Sequence, residues 1–234
     1  MVNYIVMDTE INGRVWKSPN PMEIISIGAV KITEEDIKNK TYTCERFYEY
    51  IKPVYTYTDY ARKFTKIPRQ TIAKAESLVR VVEKFKRWIG EEEYVFIGWS
   101  DSDKLALLRD CKMHKMDGEW IDPYIDLQAY IKRYVPESNQ QQLSLKNAVE
   151  VFGLHWIGEE HDALDDAMNT AKIFTLLCED KTGNIIQEFM RGSSCKVYRK
   201  CKRCGTFYYP KSNRLKRAKV CKQCFTEAQR VRIE

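Results

Sequence analysis

Two acidic residues near the start of the chain have the spacing that a metal site needs. Residues 2–9, VNYIVMDT, predict a β-strand, and Asp8 and Glu10 stand two positions apart at its end. Because side chains alternate along a strand, both carboxylates project from the same face. Oxygen ligands of this kind suit Mg²⁺ or Mn²⁺, which would relieve their mutual repulsion. An exposed strand end is the alternative explanation for this pair taken alone.

A further acid stands at the start of a predicted helix. Asp103 shares a helix face with Ala106 and Leu107, so we expect its side chain to point towards the core. Ser102 is the expected N-cap of this helix. Asp101 competes with Asp103 as a site residue, but we expect it to lie ahead of the helix, exposed.

The last candidates lie in the segment HDALDDA, where His161 precedes a long helix that runs to about residue 179. Helical spacing separates the two adjacent acids. The face expected to be buried contains Ala163, Asp166, Ile173 and Phe174, and the face expected to be solvated contains Asp165, Asn169 and Lys172. A carboxylate on an apolar face requires a partner, and a metal ion is a suitable one.

Four of the eight cysteines form a CxxC–x16–CxxC pattern near the C-terminus: Cys201, Cys204, Cys221 and Cys224. Zinc prefers four tetrahedral thiolates, and each CxxC turn can present two of them to one ion. The pattern therefore predicts one structural Zn²⁺ in a small ribbon or treble-clef-like module. A redox-active dithiol pair is the alternative.

Charge is distributed unevenly along the chain. Residues 191–234 carry 14 Lys and Arg and two acids, whereas residues 1–190 carry 25 basic and 31 acidic residues. A basic tail on an acidic body indicates a polyanionic partner, of which nucleic acid is the commonest. A solvated tail that only improves solubility is the alternative. Tail aromatics, Phe207, Tyr208 and Tyr209, either stack on bases or form the small core of the zinc module.

Composition limits the class of protein. The chain has 234 residues, of which 44% are apolar and 12% aromatic, which suffices for a packed core and excludes wholesale disorder. No apolar run approaches the roughly 18 residues that cross a bilayer. The first ten residues, MVNYIVMDTE, lack the pattern of a secretory signal. We therefore expect a soluble, cytoplasmic protein without a membrane partner.

The order of the predicted elements indicates an α/β protein with a mixed sheet. Strands are predicted at residues 2–9, 23–32 and 41–51 as an antiparallel meander, and at 94–99 and within 120–127. Helical spacing runs from Pro68 to Gly90, from Asp103 to about 112, from Leu145 to Phe152 after a Ser144 cap, and from His161 to about 179. Helices flanking such a sheet form the body, residues 1–190, and a linker at 191–194 leads into the zinc module, residues 191–234.

Three segments, YIVMDTE, WSDSDKLALL and HDALDDA, occur in this order and resemble the three motifs of the DEDDh 3′–5′ exonucleases. This is the ribonuclease T and polymerase III proofreading superfamily, which has a ribonuclease-H-like fold. The WxxxD form of the second motif is most similar to the ERI-1/KapD-like branch. The resemblance covers about residues 1–180 and leaves the zinc module outside.

The resemblance implies roles for the residues that match its motifs. The four acids would be Asp8, Glu10, Asp103 and Asp166, which hold two Mg²⁺ or Mn²⁺ ions, and His161 would be the general base. Thr9 and Ile11 would contact the substrate. The motif also departs from the family at Ser100–Ser102, where related sequences often carry Gly after the Trp.

The resemblance further implies the activity. We expect a metal-dependent 3′–5′ exonuclease that releases nucleoside 5′-monophosphates from single-stranded RNA or DNA ends. Two alternatives belong to other classes: a nucleic-acid-binding protein with little or no catalysis, and an interaction module whose zinc tail binds a protein partner. Release of mononucleotides that EDTA stops would separate the enzyme from both.

Overall fold

A computed structural model gives the structure of the chain, and it describes residues 2–13, 22–39, 45–134 and 143–178 and two short strands at 199–200 and 207–208. The chain divides into two compact units, Met1–Ser193 and Ser194–Glu234. In the second unit, Arg199–Lys200 (β6) pairs antiparallel with Phe207–Tyr208 (β7). The four cysteines of the predicted zinc site and Tyr209 lie outside the described residues, so the zinc module stays a prediction.

The first unit contains a mixed five-stranded sheet. Its strands are β1 (Val2–Asn12), β2 (Glu23–Thr33), β3 (Glu45–Tyr50), β4 (Glu93–Gly98) and β5 (Tyr124–Asp126). They lie in the order β3-β2-β1-β4-β5. β1, β2 and β3 pair antiparallel, whereas β4 lies parallel to both β1 and β5. This architecture confirms the predicted α/β fold and the predicted meander.

Helices cover both faces of this sheet. They are α1 (Glu34–Asn39), α2 (Asp59–Thr65), α3 (Arg69–Lys74), α4 (Leu78–Ile89), α5 (Ser102–Met113), α6 (Leu127–Tyr134), α7 (Leu145–Val151) and α8 (Ala163–Cys178), with a 3₁₀ turn at Glu119–Ile121. Among these described helices, none has the length and apolar character to span a bilayer.

Alternation along β1 sends its side chains to two different helical layers. On one face, the Tyr4 ring lies 5.2 Å from Phe174 of α8. On the other face, Ile5 and Met7 belong to a buried cluster with Phe85 of α4 and Leu107 of α5. The strand is therefore buried on both faces. Helices on either face can place side chains next to the end of β1.

Three expectations for secondary structure need correction. The helical spacing from Pro68 to Gly90 is interrupted at Ala75–Ser77, because the Glu76 backbone pairs with Ile51 at the end of β3. The predicted N-cap Ser102 is the first residue of α5, and the N-cap position is occupied by Asp101, whose side chain makes no capping hydrogen bond. Helices α1, α2 and α6 were not predicted. By contrast, the Ser144 hydroxyl accepts from the Asn147 amide as the N-cap of α7, as expected.

The N-terminus of α8 packs directly on the backbone of β2. A Cβ atom on Gly28 would stand 2.2 Å from the carbonyl carbon of Ala163 and 2.2 Å from the Leu164 nitrogen. Gly28 is paired with Asp8 across the sheet. The absence of a side chain at this position therefore lets the start of α8 approach the strand that carries Asp8.

We predict that Gly28→Ala destabilises the protein because the added methyl group displaces α8. The expected loss is about 1–3 kcal/mol of unfolding free energy, as for other overpacked sites, measured by urea denaturation. The matched control is Ser26→Ala, two residues away on the same fully buried face of β2, which adds no volume. Equal stability of Gly28→Ala and the control would contradict the close packing.

Candidate active site

A cleft of about 330 Å³ opens where β1 and β4 end. The carboxyl ends of neighbouring parallel strands are where α/β proteins commonly bind ligands. The cleft is lined by Asp8, Thr9, Glu10, Ile11, Gly13, Met22, Tyr60, Phe64, Trp99, Ser100, Ser102, Asp103, Leu145, His161 and Asp166. The structure thus brings together all seven residues of the body that the motifs single out, although they come from three distant segments.

β1 contributes the first two carboxylates. Glu10 is buried, with 6% of its surface exposed, and Asp8 is half-buried. Burial raises the pKa of Glu10 to about 9, with further contributions from Asp166 and Asp103. The pKa of Asp8 is also raised well above its usual value, first by burial and then by the same two acids. A β-bulge between Glu10 and Ile11 shifts the register at this point, a feature common beside active sites.

α5 contributes Asp103, which is held by β1 itself. Its Oδ1 atom accepts from the Thr9 backbone nitrogen at 3.0 Å and from the Thr9 hydroxyl at 2.8 Å. The pKa of Asp103 is raised to about 6, because burial outweighs these two hydrogen bonds, which lower it. Thr9 therefore holds the Asp103 carboxylate through hydrogen bonds, in addition to lining the cleft. Asp101 is exposed and does not line the cleft.

α8 contributes Asp166 from its first turn. Burial raises the pKa of Asp166 to about 7, although a hydrogen bond from the His161 backbone lowers it. Asp162 caps this helix, since its Oδ1 atom accepts from the Leu164 nitrogen at 3.0 Å and its Oδ2 atom accepts from the Tyr48 hydroxyl at 2.6 Å. Tyr48 lies on β3, so this contact ties the start of α8 to the sheet.

The prediction that one face of α8 is solvated is wrong for one residue. Asn169 is fully buried, because its side chain donates to the Ile157 carbonyl and accepts from the Ile157 nitrogen. Asp165 lies beside it and accepts from the Glu159 nitrogen at 2.8 Å. The loop before His161 covers this face, and helical periodicity within α8 carries no information about that loop. Asp165 nevertheless points away from the cleft, as the two-face argument predicted.

His161 stands in a left-handed backbone conformation, with φ of 65°. A residue with a side chain adopts this conformation only where its surroundings hold it there. Its ring lies 3.9 Å from the Phe64 ring, measured between centroids. Burial lowers the pKa of His161, partly offset by Glu160. The imidazole is therefore neutral near pH 7 and able to accept a proton.

Helix α2 places two aromatic side chains at the cleft that sequence reasoning missed. Tyr60 and Phe64 are 43% and 44% exposed, and their rings stack at 5.9 Å. The signals were present, because Thr58 precedes the helix as a side-chain N-cap and the two aromatics stand four residues apart.

Side chains of the sheet hold the loop that leads into α2. The buried Glu23 carboxylate accepts from the Val54 and Tyr55 nitrogens at 2.6 and 2.9 Å. Asn12 accepts from the Thr58 nitrogen at 3.0 Å. These long-range hydrogen bonds hold α2 beside the cleft. No local sequence pattern predicts them.

The donor set fits a divalent cation. Ligand atoms of Glu10, His161 and Asp166 lie within 4.8 Å of one another, the one such group found among the described residues. The Asp166 Oδ1 atom is buried and finds no hydrogen-bond partner in that part of the chain. A buried carboxylate oxygen without a hydrogen-bond partner is stabilised by a cation, and so are neighbouring acids whose pKa is raised. Hard divalent cations prefer oxygen ligands of this kind.

Comparison with known proteins identifies the family. The family model for exonucleases, RNase_T, matches residues 5–174, which is more than half of the chain. The chain therefore belongs to this exonuclease family, and the membership predicted from the three motifs is confirmed.

Two curated relatives illustrate how far the likeness extends. The 3′–5′ exonuclease crn-4 of Caenorhabditis elegans is 27% identical, covering 72% of this chain and 60% of that protein. ERI1 exoribonuclease 2 of Xenopus laevis is 26% identical, covering 75% of this chain and 28% of that protein. The chain thus spans less than two thirds of the length of either relative.

Solved structures share the fold. The nuclease domain of 3′hExo, a DEDDh family member bound to rAMP, superposes with a TM-score of 0.68 at 19% identity, over 76% of this chain and 92% of that one. Pop2p of Schizosaccharomyces pombe, in a form bound to Mg²⁺ and Mn²⁺, gives a TM-score of 0.57 at 18% identity, over 76% and 83% of the two chains. The ribonuclease-H-like sheet and its flanking helices are therefore confirmed.

We predict that Asp8→Asn stabilises the protein when no divalent cation is present. A carboxylate whose pKa is higher in the folded than in the unfolded state destabilises the fold once pH rises above its unfolded value, so removing its charge raises Tm at pH 8. The expected rise is about 2–4 °C for each 1 kcal/mol of repulsion removed. Thermal unfolding with and without Mn²⁺ measures it.

Added Mn²⁺ should raise the Tm of the parent protein and have little effect on Asp8→Asn. Asp165→Asn is the control, since its carboxylate points away from the cleft. If Asp8→Asn were no more stable than the parent protein when both are measured without metal, the proposed repulsion between the acids would be contradicted.

Proposed function

We propose that this chain is a metal-dependent 3′–5′ exonuclease that hydrolyses single-stranded nucleic acid to nucleoside 5′-monophosphates. The observation that carries the proposal is the convergence of four carboxylates and one histidine in a single cleft. Without a cation between them, the four acids would repel one another. Membership of the exonuclease family supports the same activity.

The residues that would hold divalent ions are Asp8, Glu10, Asp103 and Asp166. When bound, two such ions neutralise the phosphodiester charge, promote ionisation of the attacking water and support the departing oxygen. The related Pop2p structure, described as bound to Mg²⁺ and Mn²⁺, supports this choice of ions. Thr9 keeps Asp103 in place through its two hydrogen bonds.

His161 would act as the general base. Its neutral imidazole takes a proton from the water that attacks phosphorus, while the bond to the 3′ oxygen breaks and that oxygen takes a proton from a solvent water molecule. Phe64 packs against the imidazole ring and restricts its orientation. This role is supported by the position of His161 among the residues that line the cleft and by the hydrogen bond from its backbone to Asp166.

The cleft suits one terminal nucleotide of a single strand. Its volume of about 330 Å³ is at the lower end of the range for small-ligand sites. Tyr60 and Phe64 expose aromatic faces to it, and bases stack on such faces only when they are unpaired. The 3′hExo nuclease domain, which shares this fold, is described as bound to rAMP, which supports a nucleotide as the ligand.

For the C-terminal segment we propose a structural zinc module that helps to hold the nucleic acid. The spacing of Cys201, Cys204, Cys221 and Cys224 supports one tetrahedral Zn²⁺. The 14 basic residues of this segment support attraction to phosphates, which the acidic cleft itself does not provide. A protein partner of the tail is the alternative.

We predict that neighbouring acids differ sharply in their effect on activity. Asp166→Asn should abolish nucleotide release, whereas Asp165→Asn should have a mild effect, because the asparagine still accepts from the Glu159 nitrogen. His161→Ala should lower the rate about 10²–10⁴-fold, the usual effect of losing a general base. The assay is mononucleotide release from matched labelled RNA and DNA strands, with Mg²⁺ or with EDTA.

Circular dichroism and Tm serve as controls for folding of these variants. Near-normal turnover by Asp166→Asn, or undiminished release in EDTA, would refute the metal-dependent mechanism. If the parent protein released nothing from either strand, the alternative of a binding protein without catalysis would take its place.

We predict that removing residues 191–234 leaves cleavage in place but weakens binding. The deletion removes none of the five proposed catalytic residues, but it removes 14 basic side chains. If the tail makes Z phosphate contacts, the slope of log affinity against log salt should flatten by roughly 0.7Z on single strands. The measurement is a salt titration of oligonucleotide binding in an Asp8→Asn background, and identical slopes would favour a protein partner for the tail.

A further inference from the structure

Helix α2 also borders a second concavity, on the side turned away from the cleft. Four basic residues, Arg62, Lys63, Lys66 and Arg69, surround a concavity of about 560 Å³ whose remaining lining is Ile67 and Pro68. We call these four residues the basic patch. We propose that the basic patch binds the phosphate backbone of the strand whose 3′ end enters the cleft. This inference rests on the proposed function for the identity of the strand.

The patch is distinctive because the body around it is acidic. Residues 1–190 carry a formal excess of six acids, yet four cations fall within eight consecutive positions here. All four side chains are exposed to solvent. A local cluster of cations that departs from the overall charge of its surface indicates an anionic partner.

Neighbouring carboxylates neutralise only part of this charge. Asp59 pairs with Arg62 at 3.3 Å and with Arg69 at 3.0 Å, and Glu159 pairs with Lys66 at 2.7 Å. Two carboxylates thus form ion pairs with three of the four cations, and Glu160 adds a longer-range attraction to Lys66. These ion pairs are exposed, so a phosphate can replace the carboxylates at small cost.

The geometry of α2 connects the patch to the cleft. Tyr60 and Phe64 share one helix face and line the cleft, whereas Ala61 and Thr65 are buried against the body. The remaining face carries Arg62 and Lys63, which line the other concavity. The same short helix therefore separates a site for bases from a site for phosphates.

The distance across α2 determines how long a strand must be to reach from the cleft to the basic patch. A helix with its side chains is about 10 Å across, and a stacked strand advances about 3.4 Å per nucleotide. A strand held at the cleft therefore reaches the patch after about three nucleotides. Oligonucleotides longer than this should contact the patch, and shorter ones should not.

An acidic polypeptide is the competing partner, because carboxylates also bind cations. The position of the patch favours nucleic acid. The cleft accommodates about one nucleotide, so the rest of the strand must leave across an adjoining surface, and the patch adjoins it on the same helix.

The test uses the full chain carrying Asp8→Asn, so that binding is measured without cleavage. Arg62→Gln and Lys63→Gln are combined, because Lys66 and Arg69 bind groups outside α2, Glu159 and the Tyr57 carbonyl, whereas the ion pair of Arg62 with Asp59 lies within α2. The control combines Arg80→Gln with Arg87→Gln, two exposed positions on α4 that remove the same charge. Fluorescence anisotropy gives the affinity for labelled oligonucleotides of 3 and 15 nucleotides across a salt series.

The patch variant should bind the 15-mer about tenfold more weakly at low salt, and its slope of log affinity against log salt should flatten by about 1.4 for two lost contacts. Its affinity for the trinucleotide should change less than its affinity for the 15-mer. A 15-mer affinity and slope equal to those of the control would overturn the proposal. Unchanged 15-mer binding together with lost binding of polyglutamate would assign the patch to acidic polypeptides and overturn it as well.

This binding test is independent of hydrolysis. Nucleotide release by the parent protein tests the proposed function separately. If the parent released no nucleotide but the patch variant lost the 15-mer, the exonuclease proposal would fail and the patch would stand as a nucleic-acid surface.

Discussion

The structure depends on holding acidic side chains together where they repel one another. Asp8, Glu10, Asp103 and Asp166 meet at the end of the sheet, and burial raises the pKa of each; repulsion from the other acids of the group adds to this for Asp8, Glu10 and Asp166. Such an arrangement costs stability, so the surrounding fold must compensate for it. Active sites commonly combine local destabilisation with a rigid scaffold, because the strained groups are ready for a ligand that relieves them.

The scaffold uses a separate device for each acid. Asp8 and Glu10 are fixed by the pairing of β1 in the middle of the sheet. Thr9 holds Asp103 from the neighbouring position of that strand, facing the opposite layer. Asp166 reaches the site because Gly28 leaves room for the start of α8. Both helical layers of the fold therefore converge on one strand end.

Helix α2 contributes exposed aromatic side chains to the cleft. The acids and His161 are the groups proposed for phosphate chemistry, whereas Tyr60 and Phe64 are proposed to stack on a base. Phe64 also packs against the His161 ring, so the proposed stacking surface and the proposed general base are in direct contact. The opposite side of the same helix is basic, and it offsets the negative charge of the cleft for an approaching strand. The proposed contacts with a base and with phosphates thus both involve this seven-residue helix.

The sequence by itself determined the family, the mixed α/β fold and the identity of the acids that line the cleft. These follow from local regularities: period-two alternation places Asp8 with Glu10, and helical periodicity separates Asp165 from Asp166. Asp103 was distinguished from Asp101 in the same way, by the apolar residues on its face.

Only the tertiary structure decided how these segments meet. Asn169 is buried by a loop from outside its own helix, and Glu76 interrupts a helical pattern because its backbone pairs with the end of β3. The position of α2 depends on Glu23 and Asn12, which lie more than 30 residues away from the backbone groups that they bind. Periodicity reports only the neighbours of a residue along its own element. Contacts between distant segments depend on the packing of the whole chain, which no local pattern records.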